Sequence, residues 1–574
     1  MFHFLLTTKT NIFKLYINSL EVNYNLNDMN NLEFLIFYLF FCLIGRSLSM
    51  VFTKNKKVDN LKIFETNLYI FYPIFGVMFL SGIIFISNFL IPLNIFKNYI
   101  SLALLGLVLY NLKNLYFPQN KLFVSFNYLF VPLIIGFSSY NIKFHYDSDA
   151  YHLITQSWII NSKIVFGLTK FFIWLGHSSL YEYAQAYLNF QGNYIYQHYL
   201  NILFVVFFIN FLCFHLYKFK NSYFFNLSFF ILVFGILDNF GVGGGSNGFI
   251  QIQMVGKPDV GVGVLYLLIS IFMIYGIYEK APDLFELQVL FLLLTFVIQL
   301  RIMSAALIFL FVPYVIRNLE IFKKILFSKF GAFIITINSL WLLKNVIISS
   351  CLFFPLEFTC FNNLSWNISD ELSRVSDYYE GWVYAYQFDR SIFIFFENWI
   401  KAGHNFKQVP NLIGSLIALF LIRKICFEKI QNNYKILYLI IPLQVIVAFY
   451  YTSILRYWYG LILLIVASIS FNLKMKERFS FIKVALIPLA LITILSVGYP
   501  RGYSYSYFLN NFDYYALNIN YEEYETVENE EGYGVIAKNN KCYDIYYCTT
   551  FQYSENSNID YKEFALNYYI FINK

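Results

Sequence analysis

The chain is organised around the stretch Lys143-Phe-His-Tyr-Asp-Ser-Asp-Ala-Tyr-His-Leu153, which lies between long apolar runs. It carries Asp147 and Asp149, and aromatic and histidine residues continue as far as His177. An acid set against an apolar bundle is costly and usually has a function. On a helix the two aspartates would point about 200° apart, whereas an extended entry to the following helix lets both face one cleft. The stretch predicts an extracytoplasmic loop with an acid at its mouth.

The residues that follow this stretch indicate short helices. From Ala150 to Ala186 apolar residues recur at mixed three- and four-residue spacings. This periodicity is typical of helices that bury one face. Because the segment joins two apolar runs, we expect interfacial helices lying along the membrane behind the acidic entry.

Composition fixes the class of the protein. Of 574 residues, 59% are hydrophobic, 22% aromatic and only 13% charged. Soluble domains do not have this balance, so the sequence predicts an all-α polytopic membrane protein. The net charge of +7 is modest, and it is informative through its distribution along the chain, not as a sign of nucleic-acid binding.

About fourteen transmembrane helices are expected, because a perpendicular span needs roughly 20 apolar residues. The runs on either side of Arg301 are each shorter than that. A single helix through Arg301 would nevertheless put the basic cluster of 317–329 outside, so two helices are predicted there. The fourteen runs begin near Glu33, Leu68, Tyr99, Leu122, Tyr199, Tyr223, Pro258, Leu284, Ile302, Phe330, Val409, Ile436, Tyr457 and Phe481.

Basic residues orient these helices, because cytoplasmic connections carry an excess of Lys and Arg. They concentrate in alternate connections, which are therefore predicted to be cytoplasmic. The long polar segments 139–198, 241–257, 349–408 and the tail after Pro500 then fall outside. The cytoplasmic connections contain Lys54, Lys56, Lys57, Lys62, Lys113, Lys121, Lys218, Lys220, Arg317, Lys323, Lys324, Lys329, Arg423, Lys424, Lys429, Lys435, Lys474, Lys476, Arg478 and Lys483.

The chain divides into three predicted parts. Residues 1–32 form an N-terminal extension, with Met29 as the expected authentic start. Residues 33–499 form the transmembrane domain, which includes a first external loop at 139–198 and a second at 349–408. The acidic, tyrosine-rich residues 500–574 contain short alternating pieces such as Tyr533–Ala537 and 543–547. They predict a small α/β extracytoplasmic cap.

Several motifs together resemble a known family. Asp147-Ser-Asp-Ala-Tyr-His-Leu153, with Trp158 and Gly167-Leu168 after it, resembles the first external loop of bacterial polytopic glycosyltransferases of the GT-C superfamily. In those enzymes an Asp followed four residues later by Tyr-His-Leu opens the loop. The likeness is closest to a branch of uncharacterised membrane proteins linked to surface polysaccharide synthesis.

Further landmarks of the same family follow in order and extend the resemblance over most of the chain. The second has Ser350 and Phe354 where the family has Gly and Tyr, and the last has Tyr543 and Tyr547 in place of Trp and Pro. These landmarks are Gly256-Lys257-Pro258-Asp259, Leu342–Ser349 with Phe354-Pro355, Arg456-Tyr-Trp-Tyr-Gly460, and Cys542 to Cys548.

The resemblance implies an integral-membrane glycosyltransferase with a GT-C-like fold. It would move a sugar from a polyprenyl-phosphate-linked donor to a cell-envelope glycan or lipid acceptor, on the extracytoplasmic face of the bacterial inner membrane. Asp147 is the candidate general base. Asp149 ranks second, as a metal or acceptor contact, which leaves a divalent cation open. No other cofactor and no nucleic-acid partner are expected.

The candidate substrate-binding residues are mostly cations near the outer membrane surface, where they can stabilise the departing phosphate. The same Lys and Arg side chains can instead extend to the lipid headgroups without binding substrate. His152 is interpreted as a hydrogen-bonding residue beside the acid. The full set is His152, Lys257, Asp259, Arg301, Lys344 and Arg456.

Two further expectations concern the cysteines and the alternative functions. Of the seven cysteines, Cys542 and Cys548 alone are expected to form a disulfide, in the predicted extracytoplasmic tail. An O-antigen polymerase or ligase, which also couples lipid-linked sugars outside, is the first alternative. A lipid-linked glycan transporter is the second. It would need charged or broken helices near the midplane in related halves, and only Arg46 lies well inside a predicted helix.

Overall fold

The computed structural model describes most of the membrane domain and several strands of the tail. Its helices follow the apolar runs of the sequence. The described residues are 30–53, 58–113, 121–136, 143–144, 151–177, 179–190, 194–218, 222–238, 254–255, 258–369, 372, 397, 399–401, 405–429, 434, 437–451, 455–479, 482–498, 524–529, 532–537, 548–550, 559–564 and 568–573.

The protein is mostly helical, and its helices are numbered in chain order. Three short ones, α5 to α7, lie in the first predicted external loop. The helices are α1 (Asn30–Thr53), α2 (Tyr72–Asn88), α3 (Leu93–Lys113), α4 (Phe123–Gly136), α5 (Leu153–Asn161), α6 (Leu168–Phe171), α7 (Leu180–Leu188), α8 (Ile195–Lys218), α9 (Tyr223–Leu237), α10 (Asp259–Tyr278), α11 (Leu284–Leu300), α12 (Ile308–Arg317), α13 (Leu319–Leu326), α14 (Lys329–Ser349), α15 (Asn405–Cys426), α16 (Leu437–Tyr451), α17 (Tyr459–Ile469) and α18 (Ile482–Gly498).

The number of helices long enough to cross a bilayer is smaller than the sequence predicted. Among the described residues, seven helices are long and apolar enough, or eight if one bent pair counts as a single span. Other predicted runs form apolar helices of only 10–17 residues, because turns and 3₁₀ segments shorten them. These findings support a polytopic membrane protein, while the count of fourteen spans stays a prediction.

The predicted break at Arg301 is confirmed. Arg301 has extended backbone angles (φ −156°, ψ 122°) and separates α11 from the 3₁₀ helix Ile302–Leu307. The chain then continues through α12 and bends by 103° into α13. Two structural elements therefore meet at Arg301, and one long helix is excluded.

The first two helices pack at unusually close range through two glycines. A Cβ atom at Gly45 would lie 1.8 Å from the carbonyl oxygen of Tyr72, and one at Gly76 would lie 2.3 Å from that of Phe41. Small residues permit such backbone contact between apolar helices. This contact brings α1 and α2 together as one unit of the bundle.

A buried ion pair lies near one end of that unit. The Arg46 guanidinium donates to both carboxylate oxygens of Asp59 at 2.9–3.2 Å. Asp59 also accepts from the Tyr72 hydroxyl at 2.8 Å, and Arg46 donates to Asn111 at 3.0 Å. The intramembrane charge noted in the sequence is thus paired within the protein, and the transport alternative stays untested.

The first external loop folds back onto the bundle. Helices α5, α6 and α7 and the 3₁₀ helix Ile173–Gly176 occupy it. All nine residues of α7 are buried, so this helix does not have the single buried face of an interfacial helix. Polar side chains along α7 make this burial possible, because they bond to partners inside the protein. The short helices were expected, but the position of α7 was not.

Two short strands connect the entrance of this loop to another external segment. Strand β3 (Lys143–Phe144) runs parallel to β4 (Met254–Val255), with Lys143 opposite Met254. The two strands precede the two segments in which the sequence places candidate site residues. Their pairing brings the starts of those segments side by side. Strands β1 (Lys62–Ile63) and β2 (Thr66–Asn67) come earlier in the chain and form a separate hairpin.

The second external loop contains a disulfide that the sequence analysis missed. Cys351 and Cys360 are bonded just after α14. Cys351 and Phe354 pack there with Ile173 from the first loop. The expectation that Cys542 and Cys548 alone suit a disulfide was therefore wrong, because a turn after α14 brings together two cysteines nine positions apart. Cys542 lies outside the described residues, so the tail disulfide stays a prediction.

The described part of the tail consists of strands, in agreement with the alternating sequence pattern. Strands β7, β8 and β9 form one sheet, and β10 and β11 form a hairpin. The backbone of β11 lies against α6 of the first loop. The tail strands are β7 (Tyr524–Asn529), β8 (Gly532–Ala537), β9 (Cys548–Thr550), β10 (Ile559–Phe564) and β11 (Tyr568–Asn573). Before the tail, β5 (Phe427–Lys429) and β6 (Leu473–Met475) pair with each other.

Candidate functional site

The buried helix α7 is the centre of the candidate site. Its N-cap, Ser179, accepts a hydrogen bond from the Tyr181 amide at 3.2 Å, as short hydroxyl side chains do at helix starts. The same hydroxyl donates to the Leu300 carbonyl at 2.8 Å. Leu300 directly precedes Arg301, so this bond fixes the first external loop to the break between α11 and the next helix.

Three residues further along α7, Glu182 forms a buried polar network. Glu182 is 2% exposed, and one carboxylate oxygen contacts Nδ1 of His152. Gln156 donates to the other oxygen at 3.2 Å. Gln197 on α8 donates to Gln156 at 2.6 Å. A carboxylate buried in this way needs such partners, and the network joins α7 to two other helical segments, α5 with its N-cap His152 and α8.

Part of this network has bonding capacity left over. The Nε2 atom of Gln185 and the Oε1 atom of Gln197 are buried without a hydrogen-bond partner among the described residues, as are both ring nitrogens of His198, the next residue along α8. Unsatisfied buried polar groups are rare in folded proteins. Amide groups that can still donate and accept are suited to hydroxyl-bearing ligands or ordered water.

Two tyrosines border the network on α7. The Tyr181 hydroxyl donates to Asn201, and its ring lies 6.2 Å from that of Phe204. Burial raises the pKa of Tyr181, and the Glu182 charge raises it further. Burial also raises the pKa of Tyr183. Both phenols are therefore neutral hydrogen-bond donors at physiological pH.

Lys344, on α14, contacts Tyr183 of α7. Its side chain is 3% exposed, and Nζ lies 4.8 Å from the centre of the Tyr183 ring, within cation–π range. The neighbouring Glu182 carboxylate also interacts with this ammonium electrostatically. Lys344 is thus directed into the protein, and the alternative in which it extends to the lipid headgroups is excluded by this geometry.

Hydrogen bonds from the first loop hold this end of α14. The Gly167 amide donates to the Ile347 carbonyl at 2.8 Å. Thr169 donates to the Ile348 carbonyl at 2.9 Å. Gly167 has φ 64°, a conformation that glycine adopts without strain. These bonds fix the loop against the turn of α14 that follows Lys344.

Arg301 and Asp259 form the second charged group of the site. The Arg301 guanidinium pairs with Asp259 at the start of α10. It also lies 4.4 Å from the centre of the Tyr457 ring. The hydrogen bond from Ser179, at the start of α7, to Leu300 connects α7 with the residue that precedes Arg301. Two of the predicted substrate-binding residues therefore contact each other.

A partly exposed aromatic cluster covers the same region. The rings of Trp174 and His177 are stacked at 5.7 Å, and Tyr151 lies 5.9 Å from His177. Phe354, from the disulfide-bonded loop, meets His177 edge-on at 5.2 Å. Tyr151 also contacts His152 at 4.3 Å. Aromatic side chains from both external loops thus line one surface next to the His152–Glu182 pair.

The structure describes only some of the predicted site residues. His152, Asp259, Arg301 and Lys344 are described, and all four lie around α7 or at the break that it contacts. Both candidate catalytic acids, Asp147 and Asp149, lie outside the described residues, as does Lys257. Arg456 belongs to the 3₁₀ helix Leu455–Trp458, but its side chain lies outside the description.

No metal site can be assigned within the described part of the chain, where no group of three or more His, Cys, Asp or Glu side chains comes together. Asp147 and Asp149 lie outside the described residues. The predicted contact between Asp149 and a divalent cation therefore stays a prediction.

Sequence reasoning missed Glu182 and its glutamine partners. The signal was present, because Glu182 lies among aromatic residues in a helix with Gln185 three positions later. An acid and an amide on one face of an otherwise apolar helix indicate internal partners. Those partners, at positions 152, 156 and 197, could not be inferred from α7 alone.

The chain matches one protein family over most of its length. The match covers residues 31–463, which include the first external loop and the landmarks around Asp259, Lys344 and Arg456, but not the tail. No curated protein and no solved structure matches the chain. The chain belongs to the family described as Domain of unknown function (DUF8201).

Proposed function

We propose that the protein is an integral-membrane glycosyltransferase that uses a polyprenyl-phosphate-linked sugar and acts at the outer face of the bacterial cytoplasmic membrane. The observation that carries the proposal is the convergence around α7. There the first external loop, the outer end of α14 and the break at Arg301 bring His152–Glu182, Lys344 and Arg301–Asp259 together. Such a group combines cations, a carboxylate and aromatic surfaces.

The reaction needs these groups in different roles. An acceptor hydroxyl oxygen forms a bond to the anomeric carbon, while the bond from that carbon to the phosphate oxygen breaks. The hydroxyl proton passes to a carboxylate, for which Asp147 is the candidate. The phosphate leaves with the bonding electron pair, and nearby cations stabilise its charge. Arg301 and Lys344 are the described candidates for this role.

The location of Asp147 in the chain supports its assignment. The segment that contains Asp147 begins after β3, which pairs with β4, four residues before Asp259. It ends at Tyr151, next to His152. The segment thus connects β3 directly with His152, which belongs to the group of residues described above.

The predicted orientation, with fourteen spans and both long loops outside, supports a lipid-linked donor. Sugar nucleotides are cytoplasmic, so an external reaction requires a sugar that has crossed the membrane on a lipid. The Cys351–Cys360 disulfide favours an extracytoplasmic location for the second loop, because disulfides persist in oxidising compartments. Contact between β11 and α6 favours the same side for the tail.

Asp147→Asn tests the catalytic assignment. We expect a loss of about 10²–10⁴ in rate, because the amide cannot take the proton of the acceptor. The measurement is the amount of surface polysaccharide made by cells that express each variant at equal membrane abundance. Asp149→Asn should be milder unless both aspartates bind a metal, in which case both variants fail and added divalent cation changes the activity.

Glu397→Gln is the matched control, since Glu397 is an exposed acid in the predicted second external loop and pairs with the exposed Lys401. An ordinary surface acid of this kind should have almost no effect. Product at the wild-type level from Asp147→Asn would remove Asp147 from the mechanism, and with it the main reason for preferring a transferase to a transporter.

Impermeant thiol labelling tests the orientation. Cysteines introduced at Ser178 and Ser557 should both react in intact cells, because the Lys and Arg distribution puts 139–198 and 500–574 outside. The unsubstituted protein gives the background from the natural cysteines. Protection of either position in intact cells, followed by labelling after lysis, would reverse the orientation.

A further inference from the structure

Helix α13, at the other end of α14 from Lys344, has an exposed face that carries both apolar and basic side chains. Helix α13 leaves the membrane helix α12 at an angle of 103°. Its direction is fixed by the turn into α14, where Ser328 accepts from the Gly331 amide at 3.2 Å. A Cβ atom at Gly331 would lie 2.4 Å from the Ile325 carbonyl oxygen. This bend allows α13 to lie along a bilayer surface at the end of the candidate spanning helix α14.

One face of α13 is covered by the protein. Ile325 is buried. The Phe322 ring lies 5.6 Å from Phe291 and 6.2 Å from Phe311. These contacts attach the helix to α11 and α12, so its opposite face has a defined orientation.

The outward face combines apolar and basic side chains. Leu319, Leu326 and Phe327 are exposed, and Phe327, at 86%, is the most exposed of the large hydrophobic side chains that the structure describes. Lys323 and Lys324 lie between them and are also exposed. Large apolar groups next to lysines are characteristic of helices that lie in a membrane interface.

The charge of this segment indicates which lipids it contacts. Residues 317–329 contain four cations, Arg317, Lys323, Lys324 and Lys329, and one acid, Glu320, which gives a net charge of +3. Lys323 lies 3.6 Å from Glu320, but this pair is exposed and therefore weak. The segment is thus complementary to anionic lipid headgroups.

We propose that α13 and Phe327 form a binding surface for anionic phospholipids. Phe327, Leu319 and Leu326 enter the acyl-chain boundary, and Lys323 and Lys324 contact the phosphates. The surface lies on the side predicted to be cytoplasmic and makes no use of the residues around α7. This proposal is therefore independent of the proposed transferase activity.

The test is amide hydrogen exchange of the full-length protein in nanodiscs of phosphatidylcholine alone and of phosphatidylcholine with phosphatidylglycerol. Each lysine near an anionic surface contributes about 1 kcal/mol, or about fivefold. We expect peptides covering 319–327 to exchange up to about 25-fold more slowly with phosphatidylglycerol. Lys323→Gln with Lys324→Gln should abolish this difference. Phe327→Ser should speed exchange in both lipids, because apolar insertion does not depend on headgroup charge.

Lys280→Gln with Lys429→Gln is the matched control, since both lysines are exposed in connections predicted to be on the same side. This pair should retain the full effect of phosphatidylglycerol. Slow exchange of the buried helix α8 in every variant shows that the fold is intact. Equal protection of 319–327 in the two lipids would overturn the proposal and indicate coverage by protein, as would protection by phosphatidylglycerol that survives the Lys323 and Lys324 substitutions.

Discussion

Two buried charge networks in the same bundle differ in whether their hydrogen bonds are complete. Around Arg46, the guanidinium, the Asp59 carboxylate, the Tyr72 hydroxyl and the Asn111 amide all have partners. Around Glu182, the Gln185 and Gln197 amides and the His198 ring keep unpartnered atoms among the described residues. A complete network stabilises one structure, whereas an incomplete one can still bind a ligand.

The two networks also differ in the parts of the chain that they join. The Arg46 network joins neighbouring helices α1, α2 and α3. The Glu182 network joins the first external loop to α8, with Lys344 and the Arg301–Asp259 pair next to it. Buried charge therefore serves structure where its partners, here Asp59 in the turn between α1 and α2, complete every hydrogen bond within one group of helices. It becomes a candidate for function where an external loop supplies the partners.

Arg46→Met should have the largest effect on stability. It leaves the Asp59 carboxylate buried without its cation, which typically costs about 3–5 kcal/mol. The measurement is the unfolding midpoint of the detergent-solubilised protein. Adding Asp59→Leu should recover much of the loss, because replacing both members of a buried pair is often nearly neutral. A single variant as stable as wild type would show that the Arg46 network has no stabilising role.

Removing the Cys351–Cys360 disulfide should have an intermediate effect. Cys351→Ser with Cys360→Ser should cost about 2–3 kcal/mol, because the closed loop is short, and should free Phe354 from His177. Thermal unfolding with and without reductant measures it. If the expected Cys542–Cys548 bond exists, the double variant should still respond to reductant, with a loss of at most about 2–3 kcal/mol. A wild-type protein whose midpoint is unaffected by reductant would contradict both bonds.

Gln185→Leu should have the smallest effect on stability, within about 1 kcal/mol. It removes one bond from Gln156, at 3.1 Å, but also an amide donor that lacks a partner among the described residues. Gln156→Leu is the comparison. It should lower the free energy of unfolding by about 1–3 kcal/mol, because it removes a hydrogen-bond partner from both Glu182 and Gln197. If Gln185 contacts a ligand, its variant loses activity while its unfolding midpoint stays unchanged. Equal destabilisation by the two variants would contradict the inference that Gln185 has bonding capacity left over within the Glu182 network.

The sequence by itself determined the membrane class, the positions of the apolar helices and the break at Arg301. It also predicted short helices after residue 150 and a strand at Tyr533–Ala537. These features follow from local hydropathy, basic-residue distribution and side-chain alternation, which can be summed over a short window of residues. The count of fourteen spans stays a prediction, because several apolar runs form helices of only 10–17 residues in the described part of the chain, and such a window does not detect the turns that shorten a helix.

Only the tertiary structure decided which polar groups meet. His152 and Glu182 are 30 residues apart, and Gln156 and Gln197 are 41 apart. The Arg301–Asp259 pair, the direction of Lys344 and the Cys351–Cys360 bond likewise depend on how α7, α10, α14 and their loops pack. A buried charge must find its partners within hydrogen-bond distance, and the packing of distant segments determines that distance.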